Sequence, residues 1–209
     1  PVDSFKIIKD YIKRNQNLSE ILSEYGVDYS VIDVIARKSR VTFDVRKIRA
    51  GNAYTLLCTN DSASQVCYFV YESSPIEYVV FDLRDTVNIV PGEKEVKKKI
   101  STASGTIESS LWNAMVDNNT NPNLANDLSE IYAWTIDFFG IQKGDQYKVI
   151  FEELFVDGKS IGTGRVLSSW FYHYDKDFYA FYFVHDTIAD YFDDAGNSMR
   201  RTFLKAPLR

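Results

Sequence analysis

The sequence predicts an α+β protein made of two small domains of similar plan, each a helix pair packed on an antiparallel β-meander. Three observations carry this expectation. Aromatic residues make up 15% of the chain, with Tyr and Phe at 14 each and three Trp. Flat rings suit pleated surfaces. Apolar residues alternate in some short runs and recur at helical spacing in others. The two halves also match. The strings Ile48-Arg-Ala-Gly51-Asn-Ala-Tyr54 and Ile141-Gln-Lys-Gly144-Asp-Gln-Tyr147 are offset by 93, as are Leu57 and Ile150. Upstream, Leu18, Leu22 and Val27 match Ile107, Leu111 and Val116 at an offset of 89. Downstream, Tyr78–Leu83 is similar to Tyr179–Val184. Such agreement through helix and strand reads as an internal duplication. The boundary falls near Asp85–Gly92, which gives domains 1–88 and 89–209.

The elements follow in order. Phe5–Ile12 reads as a strand. Asn17 or Ser19 caps a helix that Gly26 ends. Ser30 caps a second, with Val31, Val34, Ile35 and Lys38 at helical spacing. Ala53–Thr59 and Val66–Glu72 form a hairpin around Asp61–Ser64, and Glu77–Leu83 adds a strand. Glu93–Lys99 is a charged run that reads as solvated. In the second half, Ile107–Val116 reads as a helix. Pro122 starts another through Leu124, Leu128, Ile131, Tyr132 and Ile136 to Gly140. Strands then cover Tyr147–Phe155, Ser160–Tyr174 and Phe178–His185, with turns at Asp157-Gly158 and Asp175–Asp177. Asp194–Asn197 reads as a solvated turn.

Of 209 residues, 24 are basic and 29 acidic, a net charge of −5. Phosphate binding needs clustered cations, so no nucleic-acid partner is expected. No apolar run approaches the roughly 20 residues of a membrane span. The chain starts at Pro1, not Met, and is expected to be part of a longer protein. Two His and two Cys are too few and too scattered for a zinc set in this chain, so neither metal ligands nor catalytic residues are expected. Gly158-Lys159-Ser160 imitates the end of a phosphate loop, but Glu153 stands where that loop needs a Gly.

The densest feature is an aromatic hairpin. Nine of the fourteen residues from Trp170 to Phe183 are aromatic. Alternation puts Trp170, Tyr172 and Tyr174 on one face. That face is either a platform for a sugar or peptide partner or one side of an ordinary core sheet. Cys58 and Cys67 flank the first hairpin; they face each other if Asn60 faces Gln65, which leaves open a disulfide or two buried thiols.

The second half resembles a known family. Gly105-Thr106-Ile107 with Ser109-Ser110-Leu111 is followed by Glu130-Ile131, Ala133-Trp134, Ile136-Asp137-Phe138, Gly144-Asp145, Glu152-Glu153, Val156-Asp157-Gly158 and Tyr191-Phe192-Asp193. The series ends in Gly196-Asn197-Ser198, Arg200 and Phe203–Leu208. It is similar to the segment preceding the catalytic domain of lysostaphin-type zinc endopeptidases of the bacterial cell envelope. The first half is more loosely similar to the LysM-like module that often precedes that segment, with Asn15-Gln16 where such modules carry Gly-Asp.

The resemblance implies the non-catalytic, targeting or regulatory region of a peptidoglycan hydrolase. Zinc is expected only in a peptidase domain beyond Arg209. The implied partners are peptidoglycan and that peptidase domain, and the implied place is the cell envelope or periplasm. A stand-alone glycan-binding module is the alternative, with Asn15, Gln16 and Asn17 in the first loop and Thr42 and Asp44 after the second helix as candidates. A protein-interaction scaffold using the aromatic hairpin is a third reading.

Overall fold

The computed structural model describes residues 5–185 and 188–200. The chain divides into two compact units, the first ending at Val96 and the second starting at Lys97. The first unit holds β1 (Phe5–Tyr11), α1 (Leu18–Glu24), α2 (Tyr29–Thr42), a 3-10 turn (Val45–Lys47), β2 (Ala53–Thr59), β3 (Val66–Glu72), β4 (Glu77–Asp82) and β5 (Asn88–Glu93). The second holds β6 (Lys97–Thr106), α3 (Leu111–Asp117), α4 (Asn123–Ile131), a 3-10 turn (Phe138–Gly140), β7 (Gln146–Val156), β8 (Lys159–His173), β9 (Lys176–His185) and β10 (Ile188–Phe192). Each unit is a five-stranded antiparallel meander in sequence order. In each, the two helices lie between the first strand and the second.

Local chemistry explains the helices. Asn17 accepts from the Glu20 amide while the Glu20 carboxylate reaches back to Asn17, a capping box that satisfies two orphan donors. Asp28 caps α2 through the Ser30 amide, so the helix starts before the expected Ser30. Ser110 caps α3, and Pro122 occupies the cap position of α4. The strands bury alternate residues, as β2 does with Tyr54, Leu56 and Cys58. Each unit closes its own core. Ile21, Leu22, Ile35, Leu56, Phe69 and Phe81 are fully buried in the first; Ile107, Met115, Leu124, Phe171 and Ala180 are in the second.

The two units superpose in register. Leu18 and Leu111 each open a helix after a capping residue, and Asp44 and Asp137 each cap the 3-10 turn. Gly51 and Gly144 both take a left-handed conformation, with φ of 89° and 98°. Their amides donate to Ile12 and Ile107, whose own amides donate back to the Asn52 and Asp145 carbonyls. The offset is therefore 93 in the helices, not 89. An apolar helix stripe repeats every three or four residues, so a slide of four reproduces the match. The offset is 95 at the end of the first strand, from Ile12 to Ile107, and a loop of five residues (Lys13–Asn17) in one unit against three (Glu108–Ser110) in the other brings it to 93.

Other expectations also shift. β5 pairs with β4 from Glu77↔Glu93 to Asp82↔Asn88, so the first unit extends past 88 to Val96. The charged run ends inside β6, which the sequence reading missed. This strand has small and polar residues in place of an apolar alternation, and it pairs on one side only, with β7. Lysines at such an edge discourage further pairing. The expected long second-half helices are shorter, because Ile107 lies beyond β6 and α4 stops at Ile131. β10 was also missed. The family-like ending Phe203–Leu208 lies outside the described residues.

The glycine turn yields a stability test. A β-carbon at Gly144 meets nothing within 4 Å, so strain from its positive φ is the sole cost. Gly144→Ala should therefore destabilise the protein by about 1 kcal/mol in urea unfolding.

Candidate functional site

The outward face of the second sheet carries a groove lined by aromatic and hydroxyl side chains. β8 turns Phe171, Ser169 and His173 inward, leaving Trp170 and Tyr172 outward. β9 adds Tyr179, Phe181 and Phe183 on the same side, with Phe181 and Phe183 exposed. Register places Lys148, Trp170 and Tyr179 in one cross-strand row, and Ile150, Ser168 and Phe181 in the next. Together with Thr102 and Ser104 of β6 they line a groove of about 470 Å³.

The rings are held. The Trp170 indole donates to Asp177 Oδ1 at 2.7 Å, and the Tyr172 hydroxyl donates to Asp175 Oδ1 at 2.9 Å. That bond to Asp175 pushes the Tyr172 phenol up from its ordinary pKa. Tyr179 and Phe181 lie with their planes 2° apart. The Lys148 ammonium sits 4.9 Å from the Trp170 ring centre, a cation–π contact. Tyr174 does not join this face. It takes a positive φ in the turn, its ring packs 4.1 Å from His173, and its hydroxyl points near Gly140. Alternation fails at Tyr174 because the strand has already ended. The Phe171 face of the hairpin is core, and its Trp170 face is turned to solvent.

His173 and Asp145 form a buried polar pair behind this sheet, with Nδ1 to Oδ2 at 2.7 Å. Asp145 also accepts from the Gln142 amide. The pair joins the end of β8 to the glycine turn. In the first unit Asn52 does the same work, its amide lying within 3.0 Å of the Tyr71 hydroxyl and the Glu72 and Ser73 carbonyls. Among the described residues no three His, Cys, Asp or Glu side chains converge to hold a metal ion, and His173 is committed to Asp145.

The loop candidates have local partners. Asn15 sits in a left-handed turn, Gln16 accepts from the Lys13 amide, and Asn17 caps α1. Thr42 ends α2. Asp44 caps the 3-10 turn and grips Arg46 with both oxygens. Cys58 and Cys67 are free and buried. A bulge after Leu57 pairs Cys58 with Val66, so the direct facing expected from an even register does not occur. Burial raises the Cys58 thiol pKa.

Residues 95–209 match the family described as the Csd3 second domain, and the chain belongs to that family. Over 117 residues, 56% of the chain, it is 33% identical to the peptidoglycan DD-endopeptidase ShyC of Vibrio cholerae serotype O1, covering 27% of that protein. It is 20% identical over 164 residues to the DD-carboxypeptidase/endopeptidase Mpg of Neisseria meningitidis serogroup B, covering 38% of it. The chain thus spans less than half the length of these relatives. Among solved structures, a zinc-containing peptidase from Vibrio cholerae superposes with a TM-score of 0.61 and 20% identity, over 93% of this chain and 59% of that one. Helicobacter pylori Csd3 does so with a TM-score of 0.58 and 13% identity, over 89% and 50%. These two likenesses show that the fold is shared.

Two tests follow from the polar anchors. Asp145→Ala leaves buried His173 without its partner and should cost about 3 kcal/mol in urea unfolding, more than Asp145→Asn, which keeps an acceptor oxygen for the imidazole. The Arg46 side chain and amide hold the Asp44 carboxyl down to about 2, from an ordinary 3.8. A lowered carboxylate pKa means that its stabilisation is present above the ordinary value and lost as pH falls through about 2. Carboxyl NMR titration should show that midpoint, and Arg46→Ala should move it back up.

Proposed function

We propose that this chain is the non-catalytic N-terminal region of a cell-envelope peptidoglycan endopeptidase, placing a catalytic domain on the wall or covering its groove. The observation that carries the reading is the Csd3 second-domain match over residues 95–209. The fold likeness over 93% of the chain to a zinc-containing peptidase extends it to both units. The names of the relatives supply the substrate class, peptidoglycan. Each unit buries its own core, as a module serving a neighbouring domain does. A covering mode lowers hydrolysis of every substrate by keeping the scissile bond out of the groove. A placing mode raises hydrolysis of insoluble wall alone, by raising local concentration.

The test compares the full-length parent with its catalytic domain alone, on soluble cross-linked muropeptides and on purified sacculi. Covering predicts that the parent is slower on both by about tenfold, equivalent to roughly 1.4 kcal/mol of barrier. Placing predicts that it is faster on sacculi only. Equal rates on both substrates would remove the proposal.

A further inference from the structure

We infer that the outward face of the second sheet binds an acid-bearing sugar chain, with Trp170 and Tyr179 as stacking rings and Lys148 meeting the acid group. This rests on the cell-wall reading for the identity of the ligand, and on the structure for the site. The duplication provides the internal control. In the first unit the row equivalent to Lys148, Trp170 and Tyr179 is Thr55, Val70 and Val80, and Asp82 stands where Phe181 does. The same meander therefore stands without rings in that row, and the ring of its next row, Tyr68 in the place of Ser168, is covered by Arg84 and meets Phe5 edge-on. Large rings held half in water are surplus to the fold, and such surfaces mark contact sites.

The chemistry of the face selects the ligand. Its floor is β7 and β8, each paired on both sides. Ladder bonds consume the backbone there, so an extended peptide finds no edge to add to. What remains is flat rings and the Thr102, Ser104 and Ser168 hydroxyls. A pyranose offers the complement, with apolar C–H faces for the rings and hydroxyls for the polar rim. Among the described residues Lys148 is the one charged side chain lining the groove. Among the described residues its ammonium pairs with no carboxylate and rests over Trp170. An unpaired cation in a chain of net charge −5 fits an anionic ligand. Peptidoglycan sugars carry acid groups through their lactyl-linked stem peptides. The Asp175 and Asp177 hydrogen bonds fix Tyr172 and Trp170 beforehand, which lowers the ordering cost of binding.

The experiment titrates the whole chain with three probes: a disaccharide–tetrapeptide muropeptide, the free tetrapeptide, and a neutral N-acetylglucosamine tetramer. Calorimetry reads affinity and thermal melting checks folding. Variants borrow the residues of the first unit. Trp170→Val should weaken muropeptide binding by at least about tenfold. Lys148→Thr should weaken muropeptide binding but leave the neutral tetramer unaffected. If Trp170→Val melts early, Tyr179→Val carries the same test. Unchanged muropeptide affinity in a well-folded ring variant overturns the site. So does a free tetrapeptide that binds as tightly as the muropeptide, which makes the face a peptide surface. Absence of muropeptide binding by the parent also overturns it. The hydrolysis comparison is independent of this face, so a rate difference there beside a failed titration leaves the endopeptidase-region reading intact.

Discussion

In each unit the chain must leave the first strand, form two helices and come back to pair the second strand with the first. That return is held by one polar side chain placed just after a left-handed glycine. Gly51 and Gly144 supply the turn, and paired backbone bonds to Ile12 and Ile107 lock it to the end of the first strand. Asn52 and Asp145 then reach across to the end of the third strand of their sheets. Without this tie the helix pair has no fixed height over the meander, and the apolar faces of Leu22 and Met115 lose their seat. Everything downstream, including which residues of β8 face outward, inherits its register from that point.

The two copies solve the same problem with different chemistry. Asn52 uses a neutral amide against backbone carbonyls and the Tyr71 hydroxyl. Asp145 uses a carboxylate against an imidazole. A buried carboxylate is more costly to desolvate, and His173 offsets that cost only if the pair stays together. The second unit also adds a phenol, Tyr132, whose hydroxyl reaches Ser169 and the Phe178 carbonyl from the helix side. Its inner face is thus pinned at two points on the same hairpin whose outer face carries Trp170 and Tyr172.

The plan of the fold was legible because its signals are local. The glycine turns, the caps and the alternation of β2 and β7 are written in adjacent residues. Alignment of the two halves failed where periodicity is self-similar. A helix stripe matches itself after four residues, so an offset of 89 imitates the structural 93. A strand matches itself after two, so Tyr78–Leu83 imitates Tyr179–Val184 in sequence, whereas pairing places Phe81 with Ala180 and Val79 with Phe178. The bulge at Cys58 and the left-handed Tyr174 each broke an alternation by one residue, which no pattern of apolar and polar types records. The edge strand β6 was invisible because one-sided pairing demands little apolar surface. Lys148 escaped notice as a site residue because a lone lysine on a strand carries no signal until register sets it beside Trp170.

The aromatic count that first pointed to sheet structure joins two uses of rings. In the first unit Tyr54, Phe69, Tyr71 and Phe81 go inward and are all buried, while Tyr68 and Tyr78 alternate to the outer face. In the second, Tyr147 and Phe171 take the inward places equivalent to Tyr54 and Tyr71, while Ser169 and Ala180 stand where Phe69 and Phe81 do. The core there is completed from the helix side by Tyr132 and Phe138, both packed on Phe171. At those two positions the inner face of β8 and β9 uses smaller residues than its counterpart, although Phe178 replaces Val79, and Trp170, Tyr179 and Phe181 stand on the opposite face. Packing alone gives no reason for that exchange, since Val70 and Val80 serve the outward row of the first sheet. Composition averages over both faces and both units; register separates rings that a core requires from rings that it does not.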